Sequence, residues 1–542
     1  MYRQTSRQRS LLDPTCSLPI EARTRLEASW GQGFQQQVYP LLLSIEDSFG
    51  DLYAEDGRPN WSVARMLGVV LLQEMLDLPD QKALDQLSFD LRWHRALDLA
   101  AGDAYLSRRS LVAFRSRLVA ADPEAKRLRA VFTAVAKEAV EAMKLSVLTA
   151  RQDSTHIISN IHTRGRVDLF SSTLRVFMRM LTRQFPSELV RLPEGLVEWS
   201  NRDDSWDIGS PDPAVARTRL IELAQWLVQV RDAFSEQPEV SETEPYKLVV
   251  RLISEHITVQ TSEPSSGSDG PDVPPSGPGV VIHKPAKPGS SLQSPHDPDA
   301  GYGYKGPGYE VQVVETCHND GSEIIIDFDV HPSGVTDHGK AGEALDRLAE
   351  RGHKPDILVD DAGYISGEAI LDAEARNVIL HGPVNRGPLP EEIVGRDRWS
   401  VDSETGRLSR CPEGHPVERH GPRTNPSGEV TLHAFVSGEH CRACPLAGKC
   451  VSRPPNNKKK GAYHVEDSPQ LRRRDQRLTE QQRPEWKDRY RIRGGIEATN
   501  SELKRAHGLG RLRVRRGPRV RLAVAAKLTA CNIKRWLRAA GA

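Results

Sequence analysis

Gly308-Tyr-Glu-Val-Gln-Val-Val-Glu-Thr316, Ser322-Glu-Ile-Ile-Ile-Asp-Phe-Asp-Val330 and Asp356-Ile-Leu-Val-Asp-Asp-Ala-Gly-Tyr364 decide the fold class. The first alternates apolar and polar residues with period two, as a half-buried strand does. The second follows an Asn319-Asp-Gly turn, so the pair reads as a hairpin. Gly339-Lys-Ala-Gly-Glu-Ala-Leu-Asp-Arg-Leu-Ala-Glu-Arg-Gly352 then reads as a helix that Gly352 stops. The third stretch is a short buried strand that ends on two carboxylates. Two antiparallel strands, a helix and a further strand imply a mixed α/β sheet.

Upstream, Leu145-Ser-Val-Leu-Thr-Ala-Arg-Gln-Asp-Ser-Thr-His-Ile-Ile158 predicts another strand, with a polar cluster at its end and Asp153 closing it. Residues from about 20 to 145 read as helical, as in Trp61-Ser-Val-Ala-Arg-Met-Leu-Gly-Val-Val-Leu-Leu. Within that region Leu106–Leu118 forms a basic helix that Ser107 or Ser110 caps, and Arg108 and Arg115 are its candidate DNA contacts. Residues 168–258 return to helical spacing and read as an all-helical insertion. Residues 261–300 hold 9 Pro, 5 Gly and 8 Ser, a composition expected of a disordered linker. At 542 residues the chain is too long for one compact core.

Net charge is +1, but it is unevenly distributed. From Lys487 onward there are 16 Lys/Arg against 3 Asp/Glu, which suits a polyphosphate partner. No run of about 20 apolar residues suggests a membrane span. The opening Met1-Tyr-Arg-Gln-Thr-Ser-Arg-Gln-Arg-Ser-Leu-Leu-Asp-Pro-Thr-Cys16 lacks the apolar core of a signal peptide, so a cytoplasmic, nucleoid-associated protein is expected. Seven cysteines, an odd number, argue against a disulfide scaffold. Four of them, Cys411, Cys441, Cys444 and Cys450, include one C-x2-C pair and fit a structural Zn²⁺ site, with His415 and His440 as substitute ligands.

The most specific segment is Tyr490-Arg-Ile-Arg-Gly-Gly-Ile-Glu-Ala-Thr-Asn-Ser-Glu-Leu-Lys504, which fits Tyr-x2-Arg-x3-Glu-x6-Lys. On a continuous helix Tyr490, Arg493, Glu497 and Lys504 share one face. Gly494-Gly495 weakens the helix start and leaves Tyr490 and Arg493 in the preceding turn as the alternative. This segment resembles the third catalytic block of the DDE-type transposases of bacterial insertion sequences. Gln152-Asp-Ser-Thr-His156 resembles their first block and Val359-Asp-Asp-Ala-Gly-Tyr364 their second, in which the acid directly before Ala-Gly-Tyr points to Asp361, with the adjacent Asp360 as the alternative ligand. The 208 residues from Asp153 to Asp361 make the first spacing unusually wide.

The resemblance implies an RNase H-like mixed sheet flanked by helices, with Asp153, Asp361 and Glu497 as catalytic ligands of two Mg²⁺ (or Mn²⁺) ions. Two such ions, about 3.5–4 Å apart, neutralise the attacking and leaving oxygens of a phosphodiester. Arg493 and Lys504 would hold DNA phosphates beside Glu497, with Tyr490 adjoining. His156 is expected to be structural. The implied function is transposition, in which hydrolysis at the element's ends is followed by 3′-OH strand transfer. The implied partners are double-stranded terminal inverted repeats and target DNA, bound by a homodimer. The expected organisation is a helical N-terminal DNA-binding domain (1–145), core parts at 146–165, 301–390 and 476–542, the helical insertion (166–260), the linker (261–300) and a cysteine-rich insertion (391–475). Two alternatives remain at this point: a catalytically inactive DNA-binding protein of transposase descent, and a zinc-scaffolded nucleic-acid adaptor.

Overall fold

A computed structural model describes the chain except for residues 6–17, 57–58, 162–164, 203–211, 261–275, 278, 319–321, 387–392, 425–427, 456–460 and 542. Its centre is a six-stranded mixed sheet of strands β1 (Thr149–Ile158), β2 (Gly306–Thr316), β3 (Ile325–Pro332), β4 (Ile357–Val359) and β5 (Ile379–His381), with a short strand Gly301–Gly303 paired to the start of β2. Their spatial order is β3-β2-β1-β4-β5. β2 runs antiparallel to both β1 and β3, whereas β1, β4 and β5 are mutually parallel. Helices flank this sheet, giving the RNase H-like mixed α/β architecture. The hairpin strands lie where periodicity places them, although the Asn319-Asp-Gly turn falls outside the described residues. The helix after them spans Lys340–Glu350, and Gly352 takes the left-handed φ of +74° that stops it.

The N-terminal helices are part of the same hydrophobic core as the sheet. Phe132, on helix Lys126–Ala142, meets Phe328 of β3 edge to face at 4.9 Å. The C-terminal helix Gly517–Ala539 packs against helices Val63–Met75 and Lys126–Ala142. Ser107 caps the basic helix by accepting from the Ser110 amide at 3.1 Å.

The helical insertion has a separate core, built on helices Arg166–Gln184, Pro213–Phe234 and Glu244–His256. A small third core of Trp399, Leu408, Ala434, Val436 and Val465 supports the cysteine-rich region. None of the described helices is long and apolar enough to cross a membrane.

Two expectations need correction. Residues 280–300 are structured, although composition places them in the disordered linker. Val280–Ile282 pairs with Ile257–Val259, and Val280, Ile282 and Leu292 are buried in the insertion core. Composition summed over 40 residues hides this short apolar run. Residues 261–275 and 278 lie outside the described residues. The second correction concerns Asp153, which sits in mid-strand. β1 continues to Ile158 because its pairing with β2 extends to Ile158↔Gly308. What ends near Asp153 is the pairing with β4, whose last pair is Arg151↔Val359.

Candidate active site

That register brings two acids together. Asp153 lies two residues beyond Arg151, and Asp361 two residues beyond Val359. Parallel strands with period-two side chains therefore carry both carboxylates at one level on one face. Asp360, one residue earlier, is tied to the sheet by its amide, which donates to the His381 carbonyl at 3.1 Å. It is fully buried, and neither of its carboxylate oxygens has a partner among the described residues. Burial first, then the charges of Asp361 and Asp153, raise its carboxyl well above the usual aspartate range. Asp361 instead reaches the surface and accepts from the Gly363 amide at 2.7 Å.

The third acid arrives on a helix that begins at Ile496. Tyr490 ends helix Pro484–Tyr490, and Arg493 sits in a 3₁₀ turn, Arg491–Gly495. The four signature residues therefore do not share one continuous helix. The 3₁₀ turn folds Arg493 back over the sheet, where its guanidinium meets all three acids. Nη2 lies 3.1 Å from Asp153 and 3.6 Å from Asp361, and Nη1 lies 3.3 Å from Glu497. The side chains open progressively to solvent, 12% exposed at Asp153, 38% at Asp361 and 69% at Glu497. Asn500 Nδ2 donates to the second oxygen of Asp153 at 3.1 Å. Burial raises the Asp153 carboxyl, Arg493 opposes that rise, and Asp361 adds to it.

A buried network aligns the turn with the sheet. Arg151 Nε donates to Glu315 at 2.7 Å, and Arg151 Nη1 donates to the Ile492 carbonyl at 2.9 Å. Thr499 donates to the other oxygen of Glu315, and Arg535 donates to Thr499 at 2.7 Å. The helix carrying Glu497 is thus tied to β1, β2 and the C-terminal helix at once. Gly495 makes this possible, because a Cβ there would stand 2.1 Å from Arg151 Nη1.

Of the remaining candidates, Tyr490 and Lys504 lie within electrostatic reach of Asp153, whereas Arg108 and Arg115 sit on the N-terminal helix Arg108–Ala121. Lys504 and Arg108 are exposed. Arg115 is held by Asp80 at 2.7 Å. His156 is buried and bonds Ser333 at 3.0 Å, the structural position expected for it. Tyr490 stacks on Trp486 at 5.3 Å, and His381 lies 4.5 Å from the Trp486 ring. Sequence reasoning misses Trp486, although its i,i+4 spacing from Tyr490 is a usable signal. It also misses Asp337, which accepts from Gln312 at 3.3 Å and whose carboxyl is raised by burial and by the charge of Asp361. No local pattern marks Asp337, since it lies in a loop and only the fold brings it near.

The cysteines of the third core are free thiols. Burial, together with neighbouring Cys450, Cys411 and Cys444, pushes the Cys441 thiol up to about 12. The His415 and His440 rings stack at 4.0 Å beside them.

Two family models match segments of the chain. A "Transposase DDE domain" matches residues 410–537, which hold the cysteine cluster and Glu497. A "Transposase domain (DUF772)" matches residues 36–117, in the N-terminal helices. No curated protein and no solved structure matches. The two matches indicate a DDE-type transposase of an insertion sequence and support a DNA transposase.

Proposed function

We propose that this transposase cleaves phosphodiester bonds at its element's ends and joins the resulting 3′-OH to target DNA, using Asp153, Asp361 and Glu497 as its metal-ligand set. One observation carries the reading. Carboxylates from three distant segments converge on a single guanidinium, the Arg493 side chain. Three acids gathered without a cation would repel one another, so the site is built around positive charge. Hard carboxylate oxygens suit Mg²⁺ or Mn²⁺. When bound, two such ions would neutralise phosphate charge and generate a nucleophile at neutral pH.

In this reading Arg493 holds the acids together until the cations arrive, and then turns to a DNA phosphate that it can grip bidentately. Asn500 orients Asp153. Lys504, Tyr490 and the basic C-terminal helix would flank the duplex, and Arg108 would contribute a contact from the N-terminal helices. Arg115 is a weaker candidate, because its ion pair with Asp80 would have to open. Two copies of the chain on paired ends, and Zn²⁺ on Cys411, Cys441, Cys444 and Cys450, complete the proposal.

The test is Mg²⁺-dependent nicking of duplex DNA carrying the element's end. Wild type should nick, whereas Asp153→Ala and Glu497→Ala should not. Nicking retained in both variants would sink the proposal.

A further inference from the structure

A second cluster of ligand-bearing side chains lies behind the helix that carries Glu497. An oxygen of Glu502, a ring nitrogen of His507 and Sγ of Cys531 all lie within 4.8 Å of one another. His507 and Cys531 are fully buried. His507 Nδ1 bonds the Glu74 carbonyl at 3.1 Å, which fixes the proton on Nδ1. Nε2, its lone pair free, then has no partner among the described residues. A buried imidazole nitrogen without a partner is unfavourable unless something fills the place. The Cys531 thiol does not fill it, since Nε2 forms no hydrogen bond to it.

The surroundings are those of a ligand set held in place. One oxygen of Glu502 takes Arg535 Nε at 3.0 Å and Nη2 at 2.8 Å, leaving the other free to ligate. The loop behind His507 is fixed by Gly508, which takes a left-handed φ of +62°. A Cβ at Gly508 would strike Asp77 Oδ1 at 2.7 Å. Lys527 further secures the turn by donating to the His507 carbonyl. A backbone carbonyl on the far nitrogen of a histidine and an arginine on the far oxygen of a carboxylate are the outer partners that orient metal ligands.

We infer that Glu502, His507 and Cys531 supply three ligands of a site for a borderline-soft divalent cation, Zn²⁺ by the chemistry of an O, N, S donor set, with a water molecule taking the fourth tetrahedral position. Zinc held at about 2.0–2.3 Å needs its ligand atoms about 3.3–3.8 Å apart, so the three side chains close by rotations on the order of an ångström. Cys531 loses its proton on binding, and the ion stands between thiolate and carboxylate. The ion would pin the end of helix Ile496–Ala506 to the C-terminal helix and, through Glu74, to helix Val63–Met75. The register of Glu497 against the sheet would then depend on it. This inference does not rest on the proposed catalytic role of Glu497.

The experiment strips the full chain with chelator under reducing conditions, adds Zn²⁺, and reads bound zinc by elemental analysis and stability by thermal melting. Cys531→Ser and His507→Gln should each hold one fewer zinc per chain than wild type and lose part of the zinc-induced rise in melting temperature. A Cys411→Ser/Cys441→Ser variant separates the other cysteines, because it should keep this site. Should the buried variants fail to fold, the partly exposed Glu502→Gln should weaken zinc binding at least about tenfold. Zinc content and melting shift equal to wild type in Cys531→Ser, or unaltered zinc affinity in Glu502→Gln, would overturn the inference.

Discussion

Alanine at Gly495 should destabilise the chain, even though alanine is the better helix former. The new Cβ would stand 2.1 Å from Arg151 Nη1, 2.5 Å from Cζ and 2.7 Å from Nη2. A guanidinium can usually swing away at little cost. This one is 7% exposed, pairs with the fully buried Glu315, and donates to the Ile492 carbonyl. Displacing it would break a buried ion pair, which costs about 3–5 kcal/mol when one partner is lost. The gain in helix propensity returns about 1 kcal/mol. The expected net loss is therefore about 2–4 kcal/mol. Gly494 is the internal control, because a Cβ there would meet nothing within 4 Å. Gly494→Ala should be neutral or up to about 1 kcal/mol more stable. Denaturant midpoints at unchanged m measure both. Gly495→Ala as stable as wild type, or indistinguishable from Gly494→Ala, would refute the argument that Arg151 fixes the turn that carries Arg493.

Two further outcomes concern the buried acids. The Asp360 carboxyl is raised well above its unfolded value, so its contribution to stability is full below the ordinary aspartate range and is lost as pH rises from there through the raised folded value. Asp360→Asn should therefore be more stable than wild type at neutral pH, with a gap that widens as pH rises, and it should still nick DNA; loss of nicking would show that Asp360 is a ligand. Asp153 is also raised and Arg493 opposes the rise, so in the metal-free chain its carboxyl should titrate above the ordinary aspartate value, and higher still in Arg493→Gln, as read by NMR titration; a titration that stays put or moves lower in the variant would contradict this.

Much of this architecture is legible in the sequence. Period-two alternation in Gly308–Thr316 and the apolar run before Asp360 point to the sheet, because strands with one or both faces buried leave that pattern. The choice of Asp361 over Asp360 rests in the sequence on Ala-Gly-Tyr alone. In the structure it is Asp361 that, with Asp153, meets the Arg493 guanidinium. The sequence cannot place Asp153 in mid-strand, because its partner on β2, Val313, lies some 160 residues away. Nor can it show that Arg493 faces the acids, which depends on a 3₁₀ turn held by Arg151 from β1. Asp337 and the Glu502–His507–Cys531 cluster are invisible for the same reason, as each is assembled by tertiary packing. The expectation of a disordered linker fails over 280–300 because average composition outweighs Val280-Val-Ile282.

The central claim is that Asp153, Asp361 and Glu497 together hold divalent cations, and Mn²⁺ titration of the full chain, read by electron paramagnetic resonance, tests it most directly. Wild type and Asp360→Asn should bind Mn²⁺ alike, and Asp153→Asn, Asp361→Asn and Glu497→Gln should each weaken that binding by at least about tenfold. Unaltered Mn²⁺ binding in those three variants, or its loss in Asp360→Asn alone, would contradict the account.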